Sequence, residues 1–399
     1  MRNSKTIKKR DIVAYYLPLY YLLSQYTIGP VSLGTIGLGI VALTSIRIDK
    51  SLTSFRKHYR AYIYFLLYVL IRDILKAFFG FESMQTQFNK IIEYFVVFIL
   101  VLIICNNPID ESKVFRAWKI VGSIFIAGII YHSILVFLLA RSVSPISIIP
   151  GYDLLDGEVG VYRPVSFFSE PAAFVTAIMP LLFLALKNND FKWAVIVTIS
   201  IFLSTSTVGI VLSIVLWASS FMIKRKEKKK RFLILCFSLL LIVGFLTLDI
   251  FSESLSKFEI VVARGGTFGS RVLTGFEVIS TQTPLSLVFG TNYNTAMQYV
   301  TDHLNLFISK ATYNYWLVGY VFMNSFTNLI FCYGVVGLLL FLNPLIAFLK
   351  NEKYTAKPYI MTVLVALFGQ SILLNSAFFL MMTVILFSDN KIMGNRLCL

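Results

Sequence analysis

The segment Arg163-Pro164-Val165-Ser166-Phe167-Phe168-Ser169-Glu170-Pro171 puts a guanidinium and a carboxylate at what reads as the start of a helix. Pro171 suits the first helical turn, where its missing N–H is no loss. Glu170 then lies at the helix N-terminus, with Arg163 just outside it. A guanidinium is a planar fork for two phosphate oxygens, and a helix N-terminus adds favourable potential for an anion. The chemistry this segment suits is phosphate-ester or diphosphate binding. The rival use of the same groups is structural, with Arg163 and Glu170 pairing or capping the helix.

A second segment, Ala263-Arg264-Gly265-Gly266-Thr267-Phe268-Gly269-Ser270-Arg271, is followed by Pro284, Gly290, Asn292 and Tyr293. Its glycines permit close backbone approach to a bulky ligand, and two arginines flank them. Cationic sites on two loops suit a diphosphate whose lipid tail stays in the bilayer. A third group, Arg72, Asp73 and Lys76, interrupts an apolar run. Charge inside a membrane helix is costly and usually faces a cavity or a partner. Asp73 and Lys76 share one helix face, so an internal ion pair and a hydrophilic membrane path for glycan or headgroup are both open. His132 falls within a span and reads as a core or cavity residue. Cys105, Cys236, Cys332 and Cys398 avoid the two large loops and lack metal-ligand spacing, so neither a disulfide framework nor a metal site is expected. No cofactor is expected either.

The elements that must hold these residues are apolar helices. The 399 residues are 57% hydrophobic and 14% charged, with runs close to the roughly 20 residues needed to cross a bilayer core. Continuous runs such as 232–248 exclude a β-barrel, whose strands alternate. The expected fold is all-α: one polytopic integral membrane helical bundle over residues 1–399. About twelve transmembrane helices are placed near 12–28, 31–46, 60–79, 91–105, 118–140, 166–186, 191–204, 207–223, 232–248, 324–348, 358–372 and 374–388. The polar Ser204 to Gly209 stretch supplies the joint inside 191–223. The first span has a basic flank but no small-residue cleavage site after it, so it is expected to be retained.

The net charge of +16 is spread by loop and forms no basic globular domain, which argues against a nucleic-acid partner. With both termini cytoplasmic, inner segments hold 27 of the 36 Lys and Arg and outer loops hold seven. That bias follows the positive-inside rule. The basic run Lys224 to Arg231 faces anionic headgroups on the inner side. Two large loops, 141–165 leading into the sixth span and 249–320, therefore face outward. In the second, Phe251, Leu255, Phe258 and Val262 predict an interfacial helix that ends at Gly265-Gly266. Another short helix is predicted from Arg271 to Thr281, and Tyr313, Tyr315, Trp316 and Tyr320 suit the headgroup level.

The Arg163 to Pro171 segment resembles the arginine-to-Glu-Pro stretch of bacterial O-antigen and exopolysaccharide repeat-unit polymerases, within the O-antigen ligase superfamily. Arg271 through Pro284 to Gly290, then Asn324-Ser325-Phe326 and Tyr333-Gly334-Val335-Val336-Gly337, resemble their downstream pattern. The resemblance covers roughly residues 160 to 345. It implies a glycosyltransferase of the bacterial cytoplasmic (inner) membrane. Such an enzyme joins undecaprenyl-pyrophosphate-linked oligosaccharide units of O-antigen, capsule or exopolysaccharide on the outer membrane face.

On that resemblance Arg163, Arg264 and Arg271 bind pyrophosphate, stabilising the leaving diphosphate without requiring a metal. Arg264 and Gly275 match an arginine–glycine spacing of the family, whereas Arg163 has Phe174 at that spacing. Glu170, and secondarily His303 in Asp302-His303-Leu304, are the candidates for general base; His303 also reads as a loop surface residue. Membrane lipid is an implied partner, as is a chain-length regulator. Related ligases set a histidine beside an asparagine where this chain has Met323-Asn324-Ser325, which argues against a ligase. A lipid-linked oligosaccharide flippase is the rival of another class. Its usual two related halves are not apparent, because the long outer loops fall after residue 140.

Overall fold

In the computed structural model the described residues are 9–28, 31–45, 57–79, 96–97, 99–100, 110–149, 162–223, 267–293, 295–308, 321–350 and 355–394. They are mostly helical, as the apolar runs require. The helices in chain order are α1 (Lys9–Leu23), α2 (Leu33–Ser45), α3 (Lys57–Phe79), α4 (Glu111–Ser133), α5 (Pro171–Lys187), α6 (Phe191–Leu203) and α7 (Thr207–Ile223). There follow α8 (Thr267–Ser280), α9 (Pro284–Phe289), α10 (Ala296–Asp302), α11 (Ser325–Lys350), α12 (Lys357–Gly369) and α13 (Ser376–Gly394). A π-helical turn, Ile134–Leu138, extends α4, and a two-residue antiparallel pair joins Thr27 to Ser32 and Ile28 to Val31 between α1 and α2.

Helix α5 is the axis of the bundle. Nearly every residue from Pro171 to Leu186 is buried, the signature of a helix apolar on all sides. It packs against α1, α4, α6, α7 and α13. Its start is set by Pro171 in the first turn, preceded by Glu170 with extended backbone at φ −147° and ψ 159°. The expected span 166–186 therefore begins later than its apolar residues suggest, because residues 162–170 form a turned strap in which Ser166 has φ +59°.

Among the described residues two helices are long and apolar enough to cross a membrane by length and composition: Glu111–Leu138 with 28 residues and Ser325–Lys350 with 26, the second broken at Gly334. Seven further apolar helices are shorter, and the 17 residues of α5 rise about 25 Å at 1.5 Å per residue against a hydrocarbon core of about 30 Å. Those of the expected twelve spans that fall on described residues therefore take the form of two long helices and a set of shorter ones. Polar breaks cause the shortening: Ser204-Thr205-Ser206 separates α6 from α7, and residues 370–375 separate α12 from α13. The expected span 232–248 and the interfacial helix of Phe251 to Val262 lie outside the described residues, as do most of 91–105 and the Tyr313 to Tyr320 cluster.

The main core runs through α1 to α7 and α11 to α13, centred on Trp118, Phe125, Phe174, Trp217 and Tyr359. A smaller core of Val278, Ala296, Tyr299, Val300, Phe307, Met323 and Phe331 ties α8 and α10 to the first turns of α11. The described part of the 249–320 stretch thus has its own apolar centre docked on the bundle.

Candidate functional site

The strap from Arg163 to Glu170 is fastened along its length. Arg163 donates from Nε to the Thr205 hydroxyl at 3.2 Å and from a terminal nitrogen to the Thr205 carbonyl at 2.8 Å, bridging to the α6–α7 turn. His132, only 2% exposed on α4, accepts at Nδ1 from the Ser166 amide at 3.1 Å and the Val165 amide at 3.4 Å. Its neutral ring accordingly carries the proton on Nε2. The Ser166 hydroxyl donates to the Phe125 carbonyl at 2.9 Å, and Phe168 packs edge-on against Phe125 and stacks on Tyr21. The Ser169 amide donates to Gln25 at 3.3 Å. These anchors leave Glu170 exposed, with no side-chain cap bond and no ion pair among the described residues. Neither structural use foreseen for its carboxylate occupies it.

Glu170 lines a cavity of about 210 Å³. The walls are Tyr21 of α1, Ala172, Ala173 and Thr176 of α5, Phe322, and the Gln370-Ser371-Ile372 and Asn375 segment that interrupts α12 and α13. Ser325 builds that interruption. Its amide and hydroxyl both donate to the Gln370 carbonyl, at 2.9 and 2.6 Å, while its oxygen accepts from the amides of Ile372 and Leu373. Asn324 caps α11 by accepting from the Thr327 amide at 2.9 Å, and Asn375 caps α13 by accepting from the Phe378 amide at 3.1 Å. Phe326 stacks on Phe368 with centroids 4.0 Å apart. The Gln370 side chain is 6% exposed, and both its amide oxygen and its amide nitrogen are buried without a hydrogen-bond partner. The turn that holds Arg163 is close by, since Val208 and Gly209 just beyond it lie against Gly369 and Val175.

Arg72, Asp73 and Lys76 brace a second break. Helix α11 is interrupted at Gly334, with φ +68° and ψ −174°, and Gly290 at φ +89° nests against it backbone to backbone. A Cβ on either glycine would collide with the other chain segment, so only glycine fits both conformation and space. Arg72 donates to the Gly290 and Thr291 carbonyls at 2.9 and 3.2 Å, and Tyr68 donates to the Tyr333 carbonyl at 2.9 Å. The Tyr333 hydroxyl donates to Asp73 at 3.1 Å, and the Lys76 ammonium lies 5.1 Å from the Tyr333 ring centre. The three charged residues thus grip a joint between α3, the Gly290 segment and α11.

His303 belongs to the smaller core. Its Nδ1 lies 3.0 Å from the Tyr299 carbonyl, and its ring is 4.5 Å from Tyr299 and 5.7 Å from Tyr293. Burial, then the nearby Asp302 carboxylate, push the Tyr293 phenol above its ordinary range. No contact joins His303 to Glu170 among the described residues. Arg271 lies on α8, which packs on α11 and α12 with Gly275 directly against Thr327. Arg264 lies outside the described residues. Of the residues foreseen, Arg163 and Glu170 share one end of the bundle, while the Arg72 group and His303 occupy separate clusters. Gln370, Asn375 and the anchoring role of His132 were not foreseen. The signal for the first two was the Gln370-Ser371 pair interrupting an otherwise apolar 358–388.

An unpaired carboxylate at a cavity rim can take a proton from a bound hydroxyl, and neighbouring amides can orient that hydroxyl. Among the described residues no group of three or more His, Cys, Asp or Glu is arranged to hold a metal ion. A scan of the chain against protein-family models finds no match, and a search of curated proteins finds none.

Proposed function

We propose that this chain is a membrane-embedded glycosyltransferase that polymerises undecaprenyl-pyrophosphate-linked oligosaccharide repeat units on the outer face of a bacterial cytoplasmic membrane. The observation that carries the reading is the free Glu170 carboxylate on the rim of a polar cavity, seven residues from Arg163 and at the same end of the bundle. Two long apolar helices, seven shorter ones and the one-sided Lys and Arg distribution support the membrane setting.

In this mechanism an acceptor sugar hydroxyl enters the cavity and Glu170 takes its proton. The resulting oxygen attacks the anomeric carbon of the donor sugar, and the bond from that carbon to the diphosphate oxygen breaks. The lipid diphosphate leaves with the electron pair, and guanidinium charge from Arg163, Arg264 and Arg271 stabilises it. Anchoring of the strap to Thr205 and His132 fixes where Glu170 sits, which is the positioning such a transfer needs.

The broken helix α11 and the charges on α3 favour a transporter as the second reading, since discontinuous helices line transport sites. Against it, the break is filled by the chain's own Gly290 segment and gripped by Arg72. Incubating the purified full-length protein with lipid-linked repeat units separates the two. Ladders of longer lipid-linked glycan are expected, whereas translocation across a vesicle membrane without elongation would establish the transporter.

A further inference from the structure

We infer that residues 283–291, within the stretch expected to be an outer loop, dip into the outer leaflet as a re-entrant segment, and that α9 lays its apolar side chains against lipid acyl chains; this rests on the membrane setting of the transferase reading. Depth comes first. The segment docks where Gly290 nests on Gly334, between α3 and α11. Those two helices run antiparallel, since Phe65 meets Phe341, Tyr68 meets Gly337 and Asp73 meets Tyr333. Lys57 and Lys350 therefore mark one side, the inner side of the charge distribution. Arg72, which holds the Gly290 and Thr291 carbonyls, stands fifteen residues along α3 from Lys57, and Gly334 stands sixteen residues along α11 from Lys350. At 1.5 Å per residue the joint lies about 22–24 Å above these basic ends, still within a hydrocarbon core about 30 Å thick.

The side chains suit that depth. None of the six residues of α9, Pro284–Phe289, is buried or charged, and Leu285 is 71% exposed, with Leu287, Val288 and Phe289 also open. At the same level the helices that hold the segment expose Ile71 and Leu75 on α3 and Val335 and Leu339 on α11, so α9 extends a surface that is already apolar. The backbone suits it too. Non-helical chain at membrane depth persists only where protein satisfies its polar groups. Here the Phe289 carbonyl accepts from Tyr68, the Gly290 and Thr291 carbonyls accept from Arg72, and the Gly290 and Thr291 amides donate to the Ser286 and Phe331 carbonyls. A loop in water would have solvent for these bonds. The guanidinium inside a membrane helix thus has its partner: the backbone that the dip brings into the bilayer.

The test is nitroxide labelling of single cysteines in the full-length protein, with its four native cysteines replaced by alanine, in vesicles of phosphatidylethanolamine and phosphatidylglycerol. Oxygen partitions into acyl chains and a nickel chelate stays in water, so the ratio of their collision rates with the label reports its surroundings. Leu339→Cys on α11 is the lipid reference, and Asp302→Cys, at an exposed charged position on α10, is the water reference. Leu285→Cys is expected to give an oxygen-to-nickel ratio close to that of Leu339→Cys and several-fold above that of Asp302→Cys. Val288→Cys repeats the measurement should Leu285→Cys fail to fold. A label on Leu285→Cys that meets the nickel chelate as often as the one on Asp302→Cys would overturn the inference, as would a label that meets neither reagent because another part of the protein or a second copy covers it. A water-like ratio at Leu339→Cys would instead count against the membrane setting itself.

Discussion

Where α4 begins and α5 ends, charge is paired. Lys187 meets Glu111 at 2.8 Å with side chains 11% and 6% exposed, Lys119 meets Asp190 at 2.6 Å, and Asp110 caps α4 through Ser112. At the opposite end Glu170 is unpaired and Gln370 is unsatisfied. Ser166, Thr205 and Leu374 there hold left-handed backbone at φ +52° to +59°, each costing on the order of 1–3 kcal/mol. The paired end has one such residue nearby, Asn189, a type that tolerates this conformation. One end is thus locked by ion pairs, and the other keeps a free carboxylate and left-handed backbone around a cavity, while buried unpaired polar atoms occur at both, Trp118 Nε1 and Gln370 among them.

The contrast breaks most sharply at its two carboxylates. Glu170→Gln is expected to cut chain elongation by about 10²- to 10⁴-fold with no loss of melting temperature, read from glycan ladders and thermal unfolding. Glu111→Ala should do the reverse. It removes the carboxylate that faces a largely buried Lys187 and costs about 3 kcal/mol of stability by denaturant titration, with elongation per folded molecule retained.

Smaller effects sharpen the comparison. His132→Phe leaves the Val165 and Ser166 amides without their acceptor, costing about 2 kcal/mol and speeding their hydrogen exchange. His132→Asn keeps an acceptor near the Nδ1 position and should restore most of that protection. Equal exchange in the two variants would mean that the ring only fills space.

The smallest effect is a pH dependence at the paired end. The Ser112 hydroxyl holds the Asp110 carboxyl below its usual value of 3.8, with burial opposing and the Ser112 amide assisting. A depressed folded value means that the stabilisation is fully present above the unfolded value and is lost as pH falls through the folded one. Melting temperature should therefore drop more steeply below about pH 4 in the wild type than in Asp110→Asn, measured by acid titration.

Much of this contrast was legible in residue types. Pro171 announced the start of α5, the Ser204 to Gly209 stretch announced a turn, and apolar runs announced helices, because each acts through local backbone chemistry. The ends of helices were legible only to within a few residues: Phe167 and Phe168 extend the apolar run of α5 backwards in sequence, but His132 and Gln25 draw the Ser166 and Ser169 amides elsewhere. The break at Gly334 was hidden, since glycine is common in membrane helices and the reason for this one is Gly290, forty-four residues away. The polar Gln370-Ser371 pair signalled the break between α12 and α13, but the unpaired state of the buried Gln370 amide is a property of packing that no spacing rule encodes.

Elongation of a lipid-linked repeat unit by the purified full-length protein, run side by side for the wild type and Glu170→Gln, tests the division of labour between the two ends most directly. The account predicts a ladder of longer glycans with the wild type and none with the variant, at equal melting temperature. Ladders of the same length and yield from both proteins would contradict it.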